Sequence, residues 1–434
     1  MLSISAKFGK RVKSIRLDKG MSQGDLAKVL GLHSTYVSGI ERGARNLSLT
    51  NIEKLAQALN IKTAEFFMDS TSRTNQSTAK PTVIDLFSGC GGLSYGLEDA
   101  GFEVLLGIDN WEPSLKTFKH NHPVAEVMCA DISHVTADKI KNITQRQVDI
   151  IVGGPPCQGF SLSGPRNFYD DRNKLYLEYI RLVKEIGPKA FIIENVPGLA
   201  ALFGGQVKDR IIEEFSKLGY TVNAKILNAS DYGVPQNRKR IVFVGIKGSR
   251  LFEFPSPTHV DIKDETGTGK HKVTVGDAIG DLPLLDRGDL GDEEAAYLTR
   301  PLSEYQKTMR RNSRKLHNHV ASQHSKQTVE IVALVPEGKN YKALPKHLQS
   351  TRNFHVAWTR LHRELPSPTI DTGHRHHFHP VAHRVPTVRE AARIQSFPDR
   401  FQFLGTKTDQ YRQVGNAVPP LLATAIGKIL LKYL

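Results

Sequence analysis

Cys157 stands in the turn Pro155-Pro156-Cys157-Gln158-Gly159, directly after the apolar run VDIIVGG, and Glu194 closes a second apolar run, AFIIEN. Prolines fix φ and remove backbone donors, so a thiol in such a turn is held rigidly at the rim of a sheet. The alternative fate of a free cysteine is that of a small buried hydrophobe, which suits Cys90 and Cys129. A carboxylate at the end of an apolar strand is either a satisfied structural acid or one whose pKa burial has raised; an acid that keeps its proton near neutral pH can give it to a ring nitrogen. Upstream, SGCGG lies between the strand TVIDLF and the helix LSYGLEDAG, where backbone can approach a ligand closely and a helix start is electropositive. About twenty residues past the glycines the strand VLLGI ends at Asp109, positioned to accept hydrogen bonds from two ribose hydroxyls. The strand AEVMCA then leads to Asp131-Ile132, positioned at an adenine edge. A glycine turn and two acids, delivered to one rim by successive strands, describe a pocket for an adenosine-containing cofactor on a doubly wound sheet.

The framework for these side chains must come from 434 residues with 59 Lys plus Arg against 44 Asp plus Glu, a net charge of +15. Hydrophobic residues at 39% and charged residues at 24% are an ordinary globular composition and exclude a largely disordered or fibrous chain. Three cysteines exclude a disulfide framework, and no Cys/His spacing suggests structural zinc. The N-terminus has no apolar signal segment, and no stretch is read as reaching the length of a bilayer span, so a reducing, cytoplasmic setting without membrane contact is expected. The positive charge favours a polyanionic partner, and its distribution sharpens that expectation. Residues 1–80 hold 13 basic against 6 acidic residues, nearly half the net charge in under a fifth of the chain.

That first segment reads as short helices. Phe8, Val12 and Ile15 share one face, as do Leu26, Ala27 and Leu30, and then Ile52, Leu55, Ala56 and Leu59. Ser22 is positioned to cap one helix that Gly31 stops, and Ser34 to Arg42 form another, ended by Gly43. The stretch SQGDLAKVLGLHSTYVSGIERGARNLSLTNIEKLAQALNI resembles the Cro/repressor type of helix-turn-helix. By that resemblance the second helix reads the major groove, so that His33, Ser34, Thr35, Tyr36 and Ser38 face DNA, while Gln23 starts the supporting helix. Pairing of two chains through this module belongs to the same expectation, because such repressors act on two half-sites. The polar run TSRTNQSTAK, 71–80, reads as a linker.

The remainder resembles the cytosine-C5 DNA methyltransferases, through DLFSGCGG, GID, ADI, GGPPCQGFS, FIIENV, QNRKR, RVPTVREAARIQSFPD and QVGNAVPP in family order. The implied fold is α/β: a doubly wound, Rossmann-like catalytic domain over 81–250, completed by 396–434, with a smaller target recognition domain at 251–395 and an all-α helix-turn-helix domain at 1–70. The implied cofactor is S-adenosylmethionine, held by Phe87, Cys90, Gly92, Asp109, Asp131, Ile132, Pro156, Leu175, Asn416 and Val418. Asp109 stands where Glu is frequent, and Asn110 replaces a larger side chain that often covers the adenine, which leaves Trp111 as a candidate for that role. By the same resemblance Cys157 adds to C6 of cytosine and makes C5 nucleophilic, Glu194 protonates or hydrogen-bonds N3, and Arg240, supported by Arg238, faces O2. The target base must be flipped out of the duplex, as holds for methyltransferases as a class.

Between 250 and 383 the sequence is least informative. Eleven of the 17 histidines lie between 301 and 400, with His374, His376, His377 and His379 clustered. Lacking neighbouring cysteines or carboxylates beyond Asp371, the cluster is read as contacting phosphates, base edges or itself, together with Arg375 and Arg384, and no metal is expected. The run Arg310, Arg311, Arg314 and Lys315 fits a solvated loop as well as a DNA-facing stripe. Thr387, Arg389 and Glu390 match the family element that organises the recognition region. The chain thus reads as a sequence-specific DNA cytosine-C5 methyltransferase acting on duplex DNA, the modification enzyme of a restriction-modification system with a cognate endonuclease, whose helix-turn-helix regulates its own transcription. Two alternatives are a DNA-binding regulator with an inactive methyltransferase domain, against which intact Cys157, Glu194 and Arg240 argue, and a family member acting on RNA.

Overall fold

The structure is a computed structural model that describes residues 4–59, 61, 63–66, 80–156, 174–261, 269–285, 290–349, 358–372 and 377–434. It forms two compact units, Met1–Lys80 and Pro81–Leu434. Most of the sequence-predicted linker, and Cys157, His374, Arg375 and His376, lie outside the described residues.

In the first unit the apolar periodicities become one core. Helices α1 (Ile4–Asp18), α2 (Gln23–Leu30), α3 (Ser34–Glu41) and α4 (Leu49–Ala58) bury Val12, Ile15, Leu26, Val37, Ile40 and Leu55 against each other. The turn between α2 and α3 is set locally. Ser22 and Asp25 form a reciprocal capping box at the start of α2, and Gly31 ends it at φ +68, a left-handed conformation that favours glycine.

The second unit is built on a seven-stranded sheet of order β3-β2-β1-β4-β5-β7-β6. Its strands are β1 (Thr82–Leu86), β2 (Glu103–Asp109), β3 (Glu126–Cys129), β4 (Ile150–Gly153), β5 (Ala190–Asn195), β6 (Tyr220–Asn228) and β7 (Lys239–Lys247). The first five are parallel; β7 runs antiparallel to β5 and β6. Strand β6 escapes the sequence reading because its inner and outer positions are mixed and it lies at the sheet edge.

Apolar residues on both faces of the central strands are covered by helices, as a parallel sheet requires. Ile84, Leu86, Phe191 and Ile193 face α7 (Ala137–Thr144), α8 (Lys174–Ile186) and α9 (Gln206–Lys217). Val83, Val104, Val152 and Ile192 face α5 (Gly92–Ala100), α6 (Glu112–Asn121) and the C-terminal helix α12 (Pro420–Leu430). The run Lys407–Tyr433 is long and apolar enough, by length and composition, to cross a membrane, which corrects the expectation that no stretch is. Here it splits: α11 (Lys407–Asn416) ends before Ala417, which is extended, and Pro420 opens α12. Leu422, Ala423, Ile426 and Leu430 of α12 are buried against α5, each large side chain contributing on the order of 1.5–3 kcal/mol.

Between 250 and 383 the strands among the described residues are two residues long. What orders this part is a set of buried arginines. Arg393, on α10 (Val388–Ile394), pairs with Asp281 and Asp399, all three side chains inaccessible. Arg389 donates to the carbonyls of His317, Pro398 and Phe401. Arg384 pairs with Glu390 and donates to Leu285 O, so of the contacts expected of it those with phosphates or bases are corrected: its side chain is 5% exposed and committed inside the fold. Glu390 in turn shares a capping box with Thr387. His379 accepts from the N–H groups of Val381 and Ala382 and is held down to about 4, mainly by burial. Arg310 leaves the basic run to pair with Asp281 over the Tyr297 ring.

Candidate active site

Register assembles the site. Leu86 of β1 lies opposite Ile108 of β2 and Gly153 of β4, and Gly153 lies opposite Ile193 of β5. The next residues outward, Phe87, Asp109, Gly154 and Glu194, therefore emerge in one row at the C-terminal ends of parallel strands. The row spans the point between β1 and β4 where strand order reverses, the place at which open α/β sheets bind ligands. A cavity of about 520 Å³ opens there. All ten residues expected around a cofactor line it: Phe87, Cys90, Gly92, Asp109, Asp131, Ile132, Pro156, Leu175, Asn416 and Val418. Glu194, Arg238 and Arg240 line the same cavity.

The glycine turn is shaped by close approach. Gly91 sits at φ +92, and a Cβ there would lie 2.4 Å from His122 Nε2. A Cβ on Gly92 would lie 2.5 Å from Val418 O, so the C-terminal segment can pack directly on the turn. Phe87, at φ +61, is a non-glycine residue in the left-handed region at the cavity wall. Asp109 fastens the turn, Oδ2 accepting from Gly89 N at 2.8 Å and Oδ1 from Trp111 N at 2.9 Å. Burial raises the Asp109 carboxyl, and these N–H groups only partly pull it back. Asp131 caps the short turn Ile132–His134 through Ser133. Cys90 is buried, its thiol pushed up to about 12, and serves as a small hydrophobe.

These residues fit a nucleoside cofactor. Asp109 retains lone pairs for ribose hydroxyls after accepting both backbone bonds. Beside it the Ser88 hydroxyl, buried on the cavity wall, has no partner among the described residues. Such a group is costly to leave unpaired and suits a polar ligand. Ser88, Arg412 and Gln413, which the sequence did not single out, also line the wall, as do Asn110 and Trp111, the latter the candidate cover for the adenine. Arg412 could have been found from its spacing, one helical turn before Asn416 on α11.

On the other side lie the acid and the cations. Arg240 Nε lies 2.8 Å from Glu194 Oε1, both side chains almost enclosed. Burial raises the Glu194 carboxyl, and the charges of Arg240 and Arg238 offset this only in part. Arg238 and Arg240 turn inward two residues apart while Lys239 is exposed, as strand alternation requires. Arg238 is spent on structure, donating to Ile370 O at 3.0 Å and Gly415 O at 2.8 Å. Burial and the Arg240 charge lower it to about 9. The turn preceding Cys157 is pinned to β5, with Asn195 Nδ2 donating to Pro155 O at 2.8 Å.

In the helix-turn-helix unit His33, Ser34 and Thr35 are exposed at the start of α3; Tyr36 and Ser38 are half-buried. His33 caps α3 through Thr35, and Arg45 stacks over the Tyr36 ring. Gln23 is turned inward: its Nε2 donates to Glu41, which Arg16 also engages. Burial acts to raise Glu41, but these bonds hold its carboxyl below the usual range. Gln23 thus braces α2 against α3. Among the described residues no group of three or more His, Cys, Asp or Glu is arranged to hold a metal ion.

Residues 81–432 match the family model of C-5 cytosine-specific DNA methylases, and residues 12–66 match a helix-turn-helix model. The chain is 41% identical over 355 residues to the Type II methyltransferase M1.HphI of Haemophilus parahaemolyticus, a match covering 81% of this chain and 87% of that protein. It is 39% identical over 370 residues to the Type II methyltransferase M.DdeI of Desulfomicrobium norvegicum, covering 80% and 87%. Among solved structures, a prophage-encoded Escherichia coli protein described as a DNA modification methyltransferase aligns with TM-score 0.64 at 31% identity, over 81% of this chain and 98% of its own. The chain belongs to the C-5 cytosine-specific DNA methylase family: it is a DNA (cytosine-5-)-methyltransferase with an N-terminal helix-turn-helix domain.

Proposed function

We propose that the cavity is the S-adenosylmethionine site and that the wall formed by Glu194 and Arg240 receives a flipped-out cytosine. The observation that carries this reading is the Glu194–Arg240 pair facing the same cavity as the glycine turn and Asp109. Asp109 and Ser88 bind the nucleoside hydroxyls, and Asp131 and Ile132 meet the adenine edge. Cys157, next in sequence to the cavity-lining Pro156, adds its sulfur to C6 of the base. Glu194, raised by burial, holds a proton at N3, and Arg240 stabilises the charge developing toward O2. Arg238 acts as a positioning residue through the carbonyls it engages. Bound S-adenosylmethionine supplies the electrophilic methyl group that C5, so activated, receives. Water takes the C5 proton as the thiolate is eliminated.

The relatives' description as Type II methyltransferases supports a modification enzyme with a cognate endonuclease, and residues 251–395 are its target recognition region. The exposed start of α3, with His33, Ser34 and Thr35, supports DNA reading by the helical unit, regulation of the chain's own transcription and action as a dimer on paired half-sites. The catalytic reading is tested by methyl transfer from tritiated S-adenosylmethionine into duplex DNA and into transfer RNA, with a 5-fluorocytosine duplex as trap. Label in DNA and a covalent adduct lost in Cys157→Ser are expected; label confined to RNA, or an adduct that survives the substitution, overturns it. The regulatory reading fails if the full chain shows no preference for its own upstream DNA over random duplex at about 0.15 M salt.

A further inference from the structure

We propose that Arg412 and Trp111 form a clasp at the Asp109 side of the cavity and set how slowly the bound nucleoside leaves. The inference rests on the reading of the cavity as the S-adenosylmethionine site. Trp111 follows β2 and stands at the N-terminal cap of α6; its backbone N–H donates to Asp109 Oδ1 at 2.9 Å, so its backbone is tied to the carboxylate that takes the ribose. Arg412 arrives from the far end of the chain, on the exposed side of α11. Its guanidinium carbon stands 4.3 Å from the centroid of the Trp111 ring, inside the range of a cation–π contact. Both side chains border the cavity. Among the described residues the Arg412 guanidinium makes no hydrogen bond and no ion pair, so the ring face is its one strong contact and its N–H groups remain available to a ligand.

Three features make this pair a clasp rather than a surface coincidence. It joins elements 301 positions apart in sequence, both bordering one cavity. Asn110, the intervening neighbour, is exposed and short, so enclosure of that edge falls to Trp111 and Arg412. The Arg412 charge also acts on the Asp109 carboxyl, together with the N–H groups of Gly89 and Trp111, against the effect of burial. A nucleoside leaving past Asp109 must separate ring from guanidinium, and the contact re-forms behind it. Arg412 is accordingly a positioning residue for the cofactor, with Trp111 as its partner.

The test uses the full chain. Release of tritiated S-adenosylhomocysteine into excess unlabelled ligand is timed for the wild type, Arg412→Ala and Arg412→Lys, beside Trp111 fluorescence with Trp358→Phe removing the other tryptophan. Release should be about twofold to fivefold faster in Arg412→Ala and intermediate in Arg412→Lys, the range an exposed cation–π contact supports. Association should quicken by a similar factor, because entry breaks the same contact, while the melting temperature of the ligand-free protein and duplex affinity should be unchanged. Release from Arg412→Ala at the wild-type rate overturns the clasp. So does a variant that loses duplex affinity instead, which makes Arg412 a phosphate contact. If the wild-type chain binds no S-adenosylhomocysteine, the assignment of the cavity itself falls; if it binds and the variants release it alike, the clasp alone falls.

Discussion

Asp109→Asn isolates what a carboxylate does in the cofactor pocket. Both Asp109 oxygens already accept backbone N–H groups, Gly89 at 2.8 Å and Trp111 at 2.9 Å. Each oxygen keeps a further lone pair for a ribose hydroxyl. Asparagine retains one such oxygen and sets an NH2 where the other stood, facing a backbone N–H in a donor-to-donor clash. One charge-assisted bond to ribose is lost, and one bond of the turn with it. Burial disfavours the carboxylate in the wild type, so neutralisation returns part of the second loss. What remains is about one charge-assisted bond, ~1.5–3 kcal/mol, or roughly 10- to 150-fold in the Kd for S-adenosylmethionine. Titration calorimetry near neutral pH measures it directly, with the melting temperature of the ligand-free variant as control. Binding within about threefold of the wild type would refute Asp109 as the ribose acceptor. A weakened affinity accompanied by a large fall in melting temperature would instead assign the residue to holding the glycine turn.

Glu194→Gln keeps an oxygen for Arg240 but cannot deliver a proton; single-turnover methyl transfer should fall by about 100-fold or more with duplex binding intact, and a loss under about tenfold would make the acid structural. Asp85 is buried, accepts from Ser94 Oγ at 2.7 Å and is raised to about 7, chiefly by burial. A raised carboxyl binds its proton more tightly folded than unfolded, so its contribution is fully present below about pH 4 and lost as pH rises through about 7. Asp85→Asn should therefore stabilise the protein at pH 8 by up to about 4 kcal/mol relative to wild type, with the difference vanishing near pH 4; urea unfolding at the two pH values that shows no such divergence contradicts it. Arg393→Met leaves Asp281 and Asp399 buried without their shared cation and should cost about 3–5 kcal/mol, read by the same unfolding assay; a cost below about 1 kcal/mol would mean the acids find other partners.

The catalytic half was legible because parallel strands buried on both faces are continuous apolar runs, and their ends carry the chemistry. Once TVIDLF, VLLGI, VDIIVGG and AFIIEN are strands in one sheet, register alone brings Phe87, Asp109, Gly154 and Glu194 into a row. The helical unit was legible for a similar reason, its apolar spacing and its Ser22 and Gly31 stops being local signals. Arg384 illustrates what was not. A charged side chain in a histidine-rich stretch suggests solvent or phosphate, yet Glu390 and Leu285 O satisfy it inside the fold, and those partners lie 6 and 99 positions away. Buried cations satisfied by distant carbonyls leave no periodicity to read. Gln23 shows the same limit at short range, since nothing in its helix announces that Glu41 takes its amide. Ser88 became visible only as part of the wall of a cavity that segments far apart in the sequence build together.

Conversion sequencing of DNA from cells expressing the full chain, beside cells expressing Cys157→Ser, tests the central claim most directly. The account predicts methylated cytosines confined to one short sequence motif and absent with the serine variant. Unmodified DNA from cells whose wild-type protein binds S-adenosylmethionine, or methylation that persists without the thiol, would contradict it.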